Sequence, residues 1–558
     1  LLMCSLSCGS GGQNTTHTQP QVWKSHCGGA DVSRESGPYI WSFSDQALAA
    51  GIADAKRRNK GISAADVDRD GDVDLYLTNS YDGAVFFLNQ GDGTFTEQAN
   101  QPNVALVYGG TFGDYDNDGD PDLFIACGGF TTVCENGMYR NDGIDVGTGE
   151  LIFTEVSHEA GVDVPTASSA GGAWADYDND GLLDIFSASL QPVEETGGTT
   201  KDTMYHGLGD GRFEEIGADL GVASTAMNGQ GTWLDYDADG DLDLYVPGFY
   251  ANNILYRNNG DGTFTDATPH YMLREPWRAN AAVADDFNND GLVDLLVLAY
   301  TYFAEVEEPI PAEQKEPRDF RFYLYSSDGQ GNLIDITEET GLREAGEKLF
   351  DYYPTSVASA DFNLDGYLDI AVTDGRSENY LFSAVPSGDG GIQWINRSTL
   401  IRAPPEDPPG QDPYPAYPYD SGGIVAFDYD CDHDLDIYIG NGGKIFDPNS
   451  AEPNRLFRND GPRVHDFIYV DAVGTTANRD AIGAMVRVAD GPEGDSTWSV
   501  HRMVYRSLGL NCSQARVLLI GVGEAEGPYH VTVSWPGGGS DVLTEVPHGA
   551  VARIVQGQ

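Results

Sequence analysis

Positive charge is scarce in this chain. Its 558 residues include 88 Asp and Glu but only 31 Lys and Arg, a formal net charge of −57. That shortage excludes nucleic acid as a partner, because neutralising phosphates needs clustered basic side chains. No apolar run reaches about 18 residues, so no membrane span is expected. HExxH, GxSxG, Walker-loop and dinucleotide-binding signatures are all missing, and the 10 His are scattered. The seven Cys contain no CxxC pair and no Cys/His cluster, which argues against zinc. Acidity of this degree can mean disorder, but 40% hydrophobic and 11% aromatic content points to a folded chain.

The acids that are present are organised. A nine-residue signature, D-x-[DN]-x-D-G-x-x-D, starts at Asp66, Asp114, Asp176, Asp235, Asp286, Asp361 and Asp428, the seventh copy carrying His433 in place of Gly. A segment of small and apolar residues precedes each copy, as in GGTFGDYD or AGGAWADYD. An apolar run such as DLYLTNS, DLFIACG or DIYIGNG follows it. These flanks read as strands, with the acidic loop as the turn between them. Further on, FFLNQGDGTFTE (86–97), MYHGLGDGRFEE (204–215) and LYRNNGDGTFTD (255–266) read as second hairpins with Asn-Gly or Asp-Gly turns.

Four strands per unit, A to D, repeated seven times, predict an all-β chain: a seven-bladed β-propeller with four-stranded blades, followed by a small β-domain. Residues 1–38 are then an export-signal remnant and linker, 39–461 the propeller and 462–558 the C-terminal domain. The seventh unit has no clear D strand, and WSFSDQ (41–46) has the D pattern with no signature before it. The N-terminal strand is therefore expected to complete the seventh blade and close the ring, removing its open edges.

Carboxylates packed this densely repel one another and call for a cation. Positions 1, 3, 5 and 9 supply side-chain oxygens, position 7 a carbonyl, and Gly at position 6 the backbone reversal, a donor set suited to Ca2+. The ligands so assigned are Asp66, Asp68, Asp70 and Asp74; Asp114, Asp116, Asp118 and Asp122; Asp176, Asp178, Asp180 and Asp184. The remaining four loops contribute Asp235, Asp237, Asp239 and Asp243; Asp286, Asn288, Asp290 and Asp294; Asp361, Asn363, Asp365 and Asp369; Asp428, Asp430, Asp432 and Asp436. Up to seven Ca2+ ions are implied. An EF-hand is excluded, since its position 12 Glu is Leu77 here and its flanking helices are replaced by strands. Asn288 and Asn363 lower the charge of their loops. His433 reads as a residue tolerant of positive φ rather than a ligand.

These motifs resemble the FG-GAP/VCBS repeat family, the blades of integrin α-chain propellers, over roughly 39–461. The stretches NRDAIGAMVRV (478–488), Ser513-Gln514 and VTVSWPGGGSDVL (531–543) resemble the ASPIC/UnbV domain. The pairing is similar to the cartilage acidic protein family and to bacterial exported proteins. The resemblance implies calcium in the hairpin loops of one face. Trp535-Pro536 reads as a packing feature.

The N-terminus, LLMCSLSCGSGGQNTTHTQP, reads as the tail of an export signal. Cys8 is either a lipid-anchor residue or part of an ordinary signal remnant, and both place the protein outside the cytoplasm: extracellular, periplasmic or on the cell surface. Cys127 and Cys134 are close enough to bridge a loop. The A–B and C–D turns fall on one rim of a propeller. The long insertions, acidic 301–319 and Pro/Tyr-rich 403–423, fall on the other, and loops on a rigid scaffold commonly carry binding residues. Partners, an extracellular protein or glycan, are expected at that second rim, with Tyr414, Tyr417 and Tyr419 as candidate contacts or as part of a rigid extended arm. The function expected is that of a monomeric, noncatalytic, calcium-binding recognition or adhesion module. The alternative is a lyase-type propeller enzyme acting on polysaccharide, which would need a base in a pocket on the ring axis.

Overall fold

The structure is a computed structural model. It describes residues 36–558 except 55–58, 80–82, 99–101, 103–106, 128–133, 164, 167–168, 191–200, 250, 270–278, 300–321, 347–353, 375–378, 389–390, 402–420, 442–452, 506 and 509–511. Cys8, the 301–319 insertion, and Tyr414, Tyr417 and Tyr419 lie outside the described residues.

Each acidic signature joins two antiparallel strands, as its flanks predict. In the first blade Asn59–Ala65 pairs with Asp74–Asn79, then Val85–Asn89, then Phe95–Glu97. The same A-B-C-D order recurs in six further sheets, making a seven-bladed β-propeller. The B strands are buried along their whole length, for example Asp74–Asn79 and Asp294–Ala299, which is why they read as unbroken apolar runs. The small residues of the A strands have a packing cause. A Cβ placed on Gly172 would lie 2.5 Å from Phe124 of the previous blade, so the neighbouring blade's ring fills the space. Trp174 then packs edge-on against that Phe124, with centroids 6.3 Å apart.

The seventh blade is finished from the other end of the chain. Phe43–Asp45 pairs antiparallel with Arg455–Asn459, Phe43 opposite Asn459 and Asp45 opposite Phe457. Arg455 Nη1 meets Asp45 Oδ2 at 2.9 Å, and Tyr39 donates its hydroxyl to Asn459 Oδ1 at 2.8 Å.

Residues beyond the seventh blade form two sheets. One orders Leu518–Gly523, Asp466–Val473 and Val551–Val555; the other orders Ser499–Met503, Met485–Ala489, Tyr529–Ser534 and Ser540–Val546. Between them lies a separate core that includes Val486, Val488, Ile520, Val531, Val533 and Trp535. Trp535 is 5% exposed and donates Nε1–H to Asp541 at 2.8 Å, the packing role expected of it.

This C-terminal domain closes the axis of the ring. Cys512–Ser513 adds to the first blade as a parallel strand, Cys512 beside Ile62. The Tyr505 hydroxyl meets Ser359 Oγ at 2.6 Å, and Gly521 sits so close to Leu364 that a Cβ would lie 2.4 Å from its Cα. Among the described residues, no helix is long and apolar enough to cross a membrane.

Candidate metal centres

All seven loops share one backbone course. Position 6 has positive φ throughout, between 90° and 102° at the six glycines and 72° at His433. His433 thus takes the conformation expected of it. Its ring stacks on Phe467 of the C-terminal domain, with Nδ1 3.3 Å from the Tyr469 hydroxyl. Position 4 is also left-handed in every copy: Arg69, Asn117, Asn179, Ala238, Asn289, Leu364 and Cys431 have φ between 56° and 62°. Position 4 carries almost no signal in the sequence. Its only trace is Asn at three of the seven copies, a residue that tolerates this region. Two reversals per loop turn the side chains of positions 1, 3 and 5 toward one point.

In the first four loops the predicted carboxylates come together. Asp66, Asp68 and Asp70, then Asp114, Asp116 and Asp122, then Asp176, Asp178 and Asp180, then Asp235, Asp237 and Asp239 each place oxygens within 4.8 Å of one another. In the fifth and sixth loops the position 3 amides of Asn288 and Asn363 donate to Asp290 and Asp365 at 3.0 and 2.9 Å. There a neutral hydrogen bond replaces one of the charge repulsions. In the seventh loop Asp428 lies beside Asp430, Asp432 and Asp434.

Position 1 is buried or half-buried, and its second oxygen accepts the position 6 N–H, as in Gly71 to Asp66 at 3.2 Å and Gly291 to Asp286 at 2.8 Å. The other oxygen has no partner in three loops: Asp66 Oδ1, Asp114 Oδ1 and Asp176 Oδ1 are buried and unpaired, as are position 3 oxygens of Asp237 and Asp430. Buried carboxylate oxygens aimed at other carboxylates cost free energy unless a cation joins them. The residues present therefore fit a hard divalent cation, with oxygen donors at several positions per loop.

The protonation equilibria carry the same strain. Burial, then Asp70 and Asp68, pushes Asp66 up to about 7. Burial pushes Asp114, Asp176, Asp286 and Asp428 to about 7, Asp235 to about 6 and Asp361 to about 8. Neighbouring carboxylates add to each.

Position 9 has a second role that is not visible in the sequence. Every copy is fully buried, and both of its oxygens already accept main-chain N–H groups. Asp74 takes Val67 N and Asn89 N; Asp243 takes Tyr236 N and Asn258 N; Asp436 takes Tyr429 N and Asn459 N. It ties the loop to the C strand, and any bond to metal uses the remaining lone pairs.

A further set of residues links the loops into a ring. The C-strand side chains Asn89, Asn141, Asn258, Ser327 and Asn459 donate to the position 2 carbonyl of the preceding blade, Asn258 to Tyr177 at 2.7 Å being one case. Gly207 and Ala384 hold that place in the third and sixth blades and offer no donor. Position 4 reaches forward: Arg69 bonds the carbonyls of Asp118 and Gly119, and Asn289 that of Gly366.

The C-terminal domain lies on these loops. Asn478 N–H donates to Asp176 Oδ2 at 3.2 Å, Tyr469 OH to Asp428 Oδ2 at 2.8 Å, and Arg502 to Gly366 O at 3.0 Å. Arg479 sits 3.3 Å from Asp114. A cavity of about 740 Å³ remains between the two parts, lined among others by Asp66, Asp114, Asp361, Asp428, Arg502 and Tyr505. Elsewhere, Cys127 is disulfide-bonded, and so is Cys431 inside the seventh loop. The bridge at Cys431 had no signal in sequence spacing.

Comparison with known proteins places these observations. A model of the FG-GAP-like repeat matches residues 36–125, 176–246 and 235–297, and a model of the ASPIC and UnbV domain matches 474–558. Human (Homo sapiens) cartilage acidic protein 1 is 25% identical over 520 residues, covering 86% of this chain and 69% of that protein. The Mus musculus protein of the same name is 24% identical over 522 residues, covering 86% and 71%. The V. cholerae biofilm matrix protein Bap1 aligns with TM-score 0.33 at 12% identity over 72% of this chain and 77% of that one, a likeness too distant to carry function.

Proposed function

The chain carries FG-GAP-like repeats and a C-terminal ASPIC and UnbV domain and is homologous to cartilage acidic protein 1, and from that premise we propose that it is an exported, calcium-binding recognition or adhesion module without catalytic activity. The observation that carries the reading is the ring of acidic loops with buried, unpaired carboxylate oxygens. Each loop holds Ca2+ through positions 1, 3, 5 and 9, up to seven ions in all. Bound Ca2+ supplies positive charge where each loop concentrates negative charge, and binding to the folded state alone adds stability by mass action.

The propeller spans 39–461 and the C-terminal domain 462–558. Because that domain rests on the loop face, the rim that bears the B–C and D–A connections is the one left for a protein or glycan partner. On the loop side Met503, Tyr505 and Cys512 pack against the inner strands, beside the cavity of about 740 Å³ that remains there. The protein acts outside the cytoplasm, as a monomer.

Two measurements test this. Chelation followed by calcium readdition should lower and then restore the melting temperature, with several Ca2+ ions per chain in equilibrium dialysis; an unchanged melt with no calcium uptake removes the proposal. A protein and glycan array, probed with the calcium-loaded chain and with a chain whose 403–420 segment is replaced by a short turn, should show binding by the first only.

A further inference from the structure

The third loop differs from the other six in one donor. Its strand C residue beside the acidic cluster is His206, whose Nδ1 lies 3.0 Å from Asp184 Oδ1 and 3.7 Å from Asp178 Oδ2. Asp178, Asp184 and His206 each offer an atom within 4.8 Å of the others, and Asp178 also belongs to the Asp176–Asp178–Asp180 group. The two clusters therefore share a carboxylate and surround one space. Asp176 is 0% exposed, and its Oδ1 in this loop has no hydrogen-bond partner.

The equivalent strand position is defined by the next residue, whose N–H bonds the position 9 carboxylate: Asn141 to Asp122, Gly207 to Asp184, Asn258 to Asp243 and Asn459 to Asp436. In the second, fourth and seventh blades the residue before it is Arg140, Arg257 or Arg458. An arginine there can only neutralise charge. An imidazole can also donate a lone pair. Ca2+ prefers oxygen donors throughout, whereas imidazole suits first-row transition ions, and carboxylates with one imidazole suit Mn2+ or Zn2+.

We propose that the third loop is a transition-metal site within a ring of calcium sites, with His206 Nδ1 joining Asp176, Asp178, Asp180 and Asp184 around Mn2+ or Zn2+. This rests on the reading of the loops as cation sites. It adds that the third loop selects a different ion from its neighbours. Asp184 remains tied to Tyr177 N and Gly207 N, so only the imidazole has to leave its hydrogen bond for the metal.

The test uses the full chain, chelated, desalted and loaded with Mn2+ in the presence of millimolar calcium. The expected result is retention of a single Mn2+ whose pulsed EPR signal shows nitrogen modulation from a directly bonded imidazole. His206→Arg, which installs the residue three other blades carry at this place, should abolish the modulation. It should also weaken Mn2+ binding by about tenfold or more while leaving calcium uptake by the other loops intact, which shows that the variant is folded. His206→Gln should behave the same way. Mn2+ bound without nitrogen modulation, or equal Mn2+ affinity in parent and both variants, overturns the proposal and leaves His206 as a charge partner like the arginines. Absence of both Mn2+ and Ca2+ uptake overturns the cation reading of all the loops along with it.

Discussion

Replacing Asn258 by Ala tests whether the side-chain staples between blades hold the ring together. Asn258 is 2% exposed, and its amide donates to Tyr177 O of the preceding blade at 2.7 Å and to Leu242 O at 3.2 Å, while its Oδ1 accepts Gly260 N at 3.1 Å. Truncation leaves the Tyr177 carbonyl in a dry interface with its donor gone. An orphaned buried polar group costs about 1–3 kcal/mol. The assay is urea unfolding of the calcium-loaded protein, comparing midpoints at unchanged m. Amide exchange should localise the loss to the boundary between the third and fourth blades. The neighbouring Asn259→Ala removes only exposed bonds to Thr263 and Thr265 and should stay within about 0.5 kcal/mol. If Asn258→Ala is as neutral as Asn259→Ala, the staples are incidental. Gly207 and Ala384, which hold the corresponding place, would then represent the rule rather than the exception.

Other outcomes follow from the same geometry. Asp202 lies away from the loops, buried beneath Ser189 N and Asn228 Nδ2, and burial pushes it up to about 8. Its folded value exceeds its unfolded one, so its contribution is intact below about pH 4 and is lost as pH rises toward 8. In that window stability should fall by about 1.4 kcal/mol per pH unit relative to Asp202→Asn, read as the difference between the two proteins' pH profiles. Arg502→Met removes bonds to Gly366 O and Asn289 Oδ1 and should weaken seating of the C-terminal domain by about 2–3 kcal/mol; limited proteolysis should then cut between propeller and domain, and an unchanged digest refutes the docking role. Deleting residues 39–47 uncovers the edge of Arg455–Asn459 and should give a lower melt and concentration-dependent association in light scattering.

The propeller was legible because its signal is repeated: one ambiguous Asp-rich turn means little, and seven with strands on both sides define a blade. The closing strand was legible from a deficit, a seventh unit without its D strand and an N-terminal strand without a loop. The staples were hidden in plain view, since Asn89, Asn258 and Asn459 sit in [FY]-x-N-x-G contexts that also read as ordinary turn residues. The double duty of position 9 could not be read, because accepting two backbone N–H groups depends on where the C strand lies in space. Nor could the seating of the C-terminal domain. Asn478 and Arg479 lie in the NRDAIGAMVRV stretch, which marks the domain but not its docking face, Arg502 and Tyr469 carry no local pattern, and each meets a loop more than 40 residues away in sequence.

The strand Phe43–Asp45 finds its partner strand more than 400 residues later. A ribosome or secretion channel delivering this chain from its N-terminus releases one half of the clasp more than 400 residues before the other. Blades can stack on one another as they emerge, yet the circle stays an open spiral until residue 459 is free. For that interval the early strand must be kept from pairing with another molecule. Growth from nascent chain to mature ring is therefore a single late event, and its timing is set by chain length rather than by the stability of any one blade.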